Sequence, residues 1–203
     1  MNNSITANSS NTNSGKVHQI TLTAILAAII VLLAFTPLGY LKIGVVSITF
    51  LTVPVVVGGI ALGPLYGGAL GAVFGLTSLA QCFMGDPFGA TLFSLNPLCT
   101  VTACLVPRIL IGVVAGLLFP VIHRVDRIGI VSFTVSAIAG AVTNTVFFVG
   151  MVAVFFQNSY FGGSSLLEIF LIFFTFNAAL EIVVCGILGA ALGKVLALLI
   201  EKR

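Results

Sequence analysis

The chain has 203 residues, 59% of them hydrophobic and 6% charged, with a formal net charge of +3 at pH 7. Soluble domains carry roughly 25% charged residues, so the composition indicates an integral membrane protein with no soluble domain hidden in it. At about 20 residues per helical crossing the length has room for about six helices and little else. The class read from composition is therefore all-α, one integral membrane bundle of six transmembrane helices.

Met1 to Gly15 is mostly Asn, Ser and Thr. It cannot bury enough apolar surface to fold, so residues 1–17 are expected to form a disordered polar tail and residues 18–203 the membrane domain. A charged n-region and a small-residue cleavage site are missing, so the stretch is not a secretory signal. The first span is expected from His18 to Thr36, closed by Pro37 and Gly39. Within it the Ala24 to Ala28 spacing is one that lets another helix approach closely, although alanine pairs at this distance also arise by chance in apolar helices. An interrupted second segment runs from Ser47 to Leu62 and is ended by Gly63 and Pro64. The third span covers Tyr66 to Met84, the fourth Thr100 to His123, the fifth Ile128 to Phe156 and the sixth Leu166 to Ile200.

With six spans, Lys16, Arg124, Arg127, Lys194, Lys202 and Arg203 fall on the side that holds both termini, and Lys42 stands alone on the other. The positive-inside rule then places both termini in the cytoplasm. Topology accounts for the basic residues, so they give no reason to expect a nucleic-acid partner. The outward loops, Gly39 to Val46, Gly85 to Cys99 and Gln157 to Ser165, are rich in Gly, Pro, Asn, Ser and aromatics. The inward loop Gly63 to Leu65 is minimal, and the asymmetry suits a receptor that opens outward.

Two charges lie inside apolar runs, Arg108 in the fourth span and Glu181 in the sixth. A charge at mid-membrane costs at least ~2.5–3.5 kcal/mol on insertion scales, so such a residue faces a polar cavity or a partner and marks a solute path. Other polar groups gather nearby: Thr77, Ser78 and Gln81 in the third span, Asp86, Ser94 and Asn96 in the loop after it, Thr143, Asn144 and Thr145 in the fifth span, and Asn177 one helical turn before Glu181. A shared cavity in the outer half of the membrane explains the grouping, since each polar side chain in lipid needs a partner. Simpler readings stand beside it. Hydroxyls in membrane helices often bond back to their own backbone, and Asn144 and Asn177 would also serve as interhelical glue. Arg108 and Glu181 would pair with each other, or Arg108, which follows Pro107, would snorkel to the interface.

Cys82, Cys99, Cys104 and Cys185 show no metal-ligand spacing and read as small core hydrophobes, with an outer-loop disulfide between Cys82 and Cys99 as the alternative. His18 and His123 sit at helix ends with no second ligand spaced near them, so no metal site and no cofactor is expected. The phenylalanine runs of the last two spans, Phe148 among them, read as lipid-facing or core rather than as a binding cage.

The segment ITFLTVPVVVGGIALGPLYGGALGAVFGLTSL from Ile48 to Leu79, LVPRILIGVVAGL from Leu105, TNTVFFVGM from Thr143 and NAALEIVVCGIL from Asn177 resemble an S component of an energy-coupling factor (ECF) transporter. An apolar run ending in LGP, followed by a Gly-rich helix closing on GLTS, is the family's pattern and is unbroken here. Within the family the chain is most similar to the pantothenate-specific branch, with one departure at Asn177 to Val183, where NAALEIV stands in place of a more common Pro-containing stretch. The resemblance implies a six-helix subunit of the bacterial plasma membrane that captures a vitamin from outside. It also implies partners, a transmembrane T component and two cytoplasmic ATPase subunits, and an enzyme activity is not expected of the chain itself. Carried over to this chain, Ala24 and Ala28 match the AxxxA pattern that contacts the T component, and the pocket is formed by the outer loops and the last three spans.

Pantothenate is a small acid with hydroxyls and an amide, so its pocket needs a cation or amide donors for the carboxylate and acceptors for the hydroxyls. Arg108 supplies the first and Asn96, Asn144, Asn177 and Glu181 the others, with Thr77 and Gln81 completing the candidate set. Alternatives are an S component for riboflavin or folate, and a stand-alone proton-coupled carrier. Apart from Arg108 and Glu181, the chain has no constellation suited to a membrane enzyme.

Overall fold

The computed structural model describes residues 3–36, 39–43, 46–84, 86–124, 126 and 129–159, with 183, 186 and 187 beyond them. In chain order the elements are α1 (Asn3–Ala34), β1 (Tyr40–Ile43), β2 (Val46–Thr49), α2 (Thr52–Leu62), α3 (Pro64–Met84), α4 (Pro87–Leu95), α5 (Pro97–His123) and α6 (Ile130–Phe156). Among the described residues four stretches are long and apolar enough to cross a membrane: Lys16–Ala34, Pro64–Met84, Pro97–His123 and Ile130–Phe156. Their outward faces carry large apolar side chains, among them Leu32, Leu65, Phe83 and Leu98, as a surface facing lipid requires. The expected sixth span, apart from residues 183, 186 and 187, lies outside the described residues.

Several elements differ from the sequence expectation. Helix α1 runs back to Asn3, through residues whose composition suits an unfolded tail. Extending an existing helix needs no new nucleus, so the polar turns can follow the apolar ones. The second segment divides in two. Its start, Val46–Thr49, with the β-branched Val46, Ile48 and Thr49, pairs antiparallel with Tyr40–Ile43 in a hairpin, and only Thr52–Leu62 is helical, 11 residues that are too short to span a bilayer alone. The loop from Gly85 to Cys99 holds a helix of its own, α4.

Helix boundaries follow local chemistry. Gly63, at φ 99°, ends α2 in a conformation that suits a residue without Cβ, and Pro64 opens α3 at once. Asp86 and Asn96 each accept a backbone N–H from the helix they start, from Gly89 and Cys99 respectively, with Pro87 and Pro97 in the first turn.

Helix α3 packs along α5, α5 along α6, and α2 lies against both α3 and α5. Gly67, Gly71 and Gly75, spaced every fourth residue, turn one bare face of α3 to α5. A Cβ at Gly67 would stand 2.5 Å from the Gly112 carbonyl oxygen, one at Gly75 would stand 3.0 Å from that of Cys104, and one at Gly71 would fall on the carbonyl of Arg108. The two backbones therefore touch. Helix α1 is tied to α3 at both ends: the Tyr66 hydroxyl donates to Gln19 Oε1 at 3.2 Å, and Gln81 Nε2 donates to the Ala34 carbonyl at 2.7 Å.

Two apolar clusters result. One joins α1, α2, α3, α5 and α6 around Ile30, Leu51, Leu70, Phe74, Ile111 and Phe133. The other gathers Leu92 of α4, Ala103 of α5 and Val152 and Phe156 of α6.

Candidate functional site

Arg108 lies between the two clusters, only 8% exposed. Its backbone is pressed against Gly71, and its guanidinium is flanked by the Phe148 ring, 4.4 Å from the centroid, and the Phe74 ring at 5.7 Å. Such cation–π contacts are worth about 0.5–2 kcal/mol each. Nη1 donates to the Ala103 carbonyl at 2.9 Å, while Nε has no hydrogen-bond partner among the described residues. A guanidinium has five N–H donors in a fixed fork, so among the described residues most of this one's hydrogen-bonding capacity is unused. The acids among the described residues are engaged elsewhere: Asp86 caps α4, and Asp126 accepts from Ser132 N and Oγ at 2.9 and 3.1 Å. No carboxylate within 4.0 Å neutralises Arg108 among the described residues. Burying a charge is costly unless it is paired and hydrogen-bonded.

Asn144 is 7% exposed and lies one turn before Phe148 on α6, so it shares the face that covers the guanidinium. Thr77 is also buried, and its hydroxyl donates to its own backbone at Phe74 O, 2.8 Å away. Thr143 and Thr145 bond back in the same way, to Ala139 and Ala141. Two of the remaining candidates bond backbone groups at helix ends. Asn96 is exposed and caps α5. Gln81 satisfies the Ala34 carbonyl, one of the four at a helix end that lack an intrahelical donor. Asn177 and Glu181 lie outside the described residues, and with them any pairing of Glu181 with Arg108. Replacing Gln81 with Ala is accordingly expected to lower stability by about 1 kcal/mol, one hydrogen bond's worth, and to leave solute affinity unchanged. Thermal melting alongside a binding titration checks this, and a parallel loss of affinity would return Gln81 to the site.

Cys82, Cys99 and Cys104 are free thiols. Cys82 sits beneath α4, where a Cβ on Gly89 would stand 2.5 Å from its sulfur, and its thiol donates weakly to Ser78 O at 3.5 Å. These contacts fit the reading of Cys82 as a small core residue.

Three features of the site escape the sequence reading. Phe148 is an aromatic wall for the cation rather than lipid-facing filler. Phe74 is the second wall, set on α3 opposite the first. The glycine row on α3 fixes where the Arg108 backbone lies, and its signal, Gly at every fourth position from Gly67 to Gly75, is present in the sequence.

A family model described as the substrate-specific component of ECF transporters matches residues 18–193. The chain belongs to this family. It is a transporter's substrate-binding component rather than a member of an enzyme class, and a multi-pass protein of the cell membrane, which agrees with four span-length helices among the described residues. It is also similar to a curated relative, "Pantothenate transporter PanT" of Leuconostoc mesenteroides subsp. mesenteroides, with 29% identity over 202 residues that cover 94% of this chain and 97% of the relative. The resemblance carried by LGP, GLTS and the later segments is thereby borne out at the level of the family.

Proposed function

We propose that the chain binds pantothenate from outside the cell and delivers it inward together with a transmembrane T component and two ATPase subunits. The observation that carries this reading is Arg108, a buried guanidinium with donors to spare and no acid partner among the described residues. Of the vitamins considered, pantothenate matches it as a small, flexible carboxylate that needs no flat stacking surface. Among the described residues the two aromatic rings at the guanidinium, Phe74 and Phe148, already face the cation, which leaves these two poorly placed to sandwich a flavin or a pterin. The similarity to a pantothenate transporter supports the same choice. With both termini on the cytoplasmic side, α5 enters from outside at its Asn96 cap and Arg108 lies about three turns in, within reach of an outward-opening pocket. Asn144, Asn177 and Glu181 are the proposed partners for the hydroxyls and amide.

Isothermal titration of the purified chain in detergent tests the substrate, with riboflavin, folate and thiamine as controls. Saturable nanomolar binding of pantothenate alone is the expected result, and silence from a folded protein would overturn the substrate assignment. Coupling is tested by uptake in cells: import should stop on ATP depletion, whereas import that persists without ATP and collapses with the proton gradient would mark a stand-alone carrier.

Ala24 and Ala28 are both exposed on α1, beside the apolar Ile20, Ile25 and Leu32. We assign this face to the T component. Replacing both alanines with Leu is expected to abolish co-purification of the T and ATPase subunits, because the added branches hold a second helix away. Pantothenate titration should be unaffected, and intact co-purification would remove the face from the interface.

A further inference from the structure

Helix α5 runs unbroken through Pro107, the residue before Arg108. In a regular α-helix the N–H of residue 107 would bond the carbonyl of residue 103. A proline has no N–H, and its ring pushes against that carbonyl. The Ala103 carbonyl is thus left without its helical donor, and Ala103 is only 1% exposed, so water does not readily replace it. The donor that fills the gap is Nη1 of Arg108, at 2.9 Å. One residue opens the acceptor and the next occupies it.

We infer that Pro107 is a positioning residue for solute recognition: by freeing the Ala103 carbonyl it anchors one end of the Arg108 guanidinium and aims the remaining donors at the solute's carboxylate. The inference rests on the reading of Arg108 as the carboxylate's partner. Helical side chains already lean towards the N-terminus of their helix, which is the direction of Ala103, so the anchor fixes a conformation the backbone favours. It also explains how a long, flexible side chain stays between Phe74 and Phe148 instead of stretching to the membrane surface. Nε, buried and without a partner among the described residues, is a donor this arrangement leaves unused.

The test is a double-mutant cycle of Pro107→Ala and Arg108→Ala in the purified full chain, titrated with pantothenate and with its uncharged alcohol, in which CH2OH replaces the carboxylate. Alanine restores the backbone N–H, which then claims the Ala103 carbonyl and releases Nη1. Pro107→Ala is expected to weaken pantothenate roughly tenfold, as misalignment of a charge-assisted hydrogen bond does, and to leave the alcohol's affinity unchanged. In the Arg108→Ala background the same change should cost nothing further. Melting temperature should hold or rise, since alanine is far better than proline inside a helix. Stability and affinity moving in opposite directions is the signature of positioning. Equal losses for both ligands, additive losses, or a fall in melting temperature together with affinity would overturn the inference and make Pro107 a structural kink. Pro120→Ala, a second proline in α5 remote from Ala103, controls for helix straightening and should change neither affinity. If Arg108→Ala itself keeps full affinity for pantothenate, the failure lies with the proposed function. If Arg108→Ala loses it and Pro107→Ala does not, only the positioning role falls.

Discussion

Pantothenate affinity is expected to fall at least tenfold when Arg108 is replaced by Ala. The magnitude follows from what is lost. A hydrogen bond to a charged group contributes about 1.5–3 kcal/mol, and each 1.4 kcal/mol is about a factor of ten in affinity, so a single bond gives roughly ten- to hundredfold and a forked pair gives more. The protein itself should remain folded. Truncation orphans the Ala103 carbonyl, which is unfavourable, but it also removes a buried cation that has no neutralising acid among the described residues, which is favourable. Arg108→Lys keeps the charge and loses the planar fork, so it should recover only part of the affinity. Titration of the three proteins side by side decides the matter, and full affinity in the alanine variant would remove Arg108 from the site. A loss confined to carboxylate-bearing ligands would further identify which end of the solute the guanidinium holds.

Arg108 is legible in the sequence because charge in an apolar run is expensive whatever the fold around it, and Asn144 for the same reason in weaker form. Gln81 and Asn96 show what else such a polar group does. Both are polar groups in or beside a span, as ligands would be, yet each satisfies a backbone group at a helix end. For Asn96 the sequence held the answer, since Asn followed by Pro is the signature of a helix start, and Asp86 followed by Pro87 announces α4 in the same way. For Gln81 it did not. Its acceptor is the Ala34 carbonyl, 47 positions away in the chain, and no local pattern reveals that contact. The second segment divides for a different reason: Val46, Ser47, Ile48 and Thr49 alternate apolar and polar, a strand's period of two that is easily lost in four residues at the head of a longer apolar run. Phe74 and Phe148 were visible only as apolar bulk, because which of many phenylalanines meets a cation depends on how α3 and α6 close around α5.

That closure makes Gly71 the glycine whose substitution is expected to act most directly on the Arg108 backbone. A Cβ there would overlap the Arg108 carbonyl oxygen and stand 2.8 Å from both the Arg108 carbonyl carbon and Ile109 Cα. All three are backbone atoms, so no rotamer change relieves the clash, and α3 must back away from α5. Gly71→Ala is therefore expected to destabilise the protein by about 1–3 kcal/mol, the usual cost of overpacking, and to weaken pantothenate binding as well, because the displaced backbone is the one that carries the guanidinium. Two neighbouring substitutions calibrate the effect. At Gly68 the nearest obstacle is the Val113 Cγ2 methyl at 3.1 Å, a side-chain tip that can yield, so Gly68→Ala should be mild. At Gly150 on α6 nothing among the described residues lies within 4 Å, so alanine should be neutral or stabilise the helix by up to about 1 kcal/mol. Thermal unfolding in detergent and pantothenate titration of the three variants should rank Gly71→Ala lowest on both scales. Wild-type affinity in a destabilised Gly71→Ala protein would mean that the α3–α5 contact supports the bundle without setting the position of Arg108. A coupled loss would tie the glycine row of one helix directly to recognition by the next.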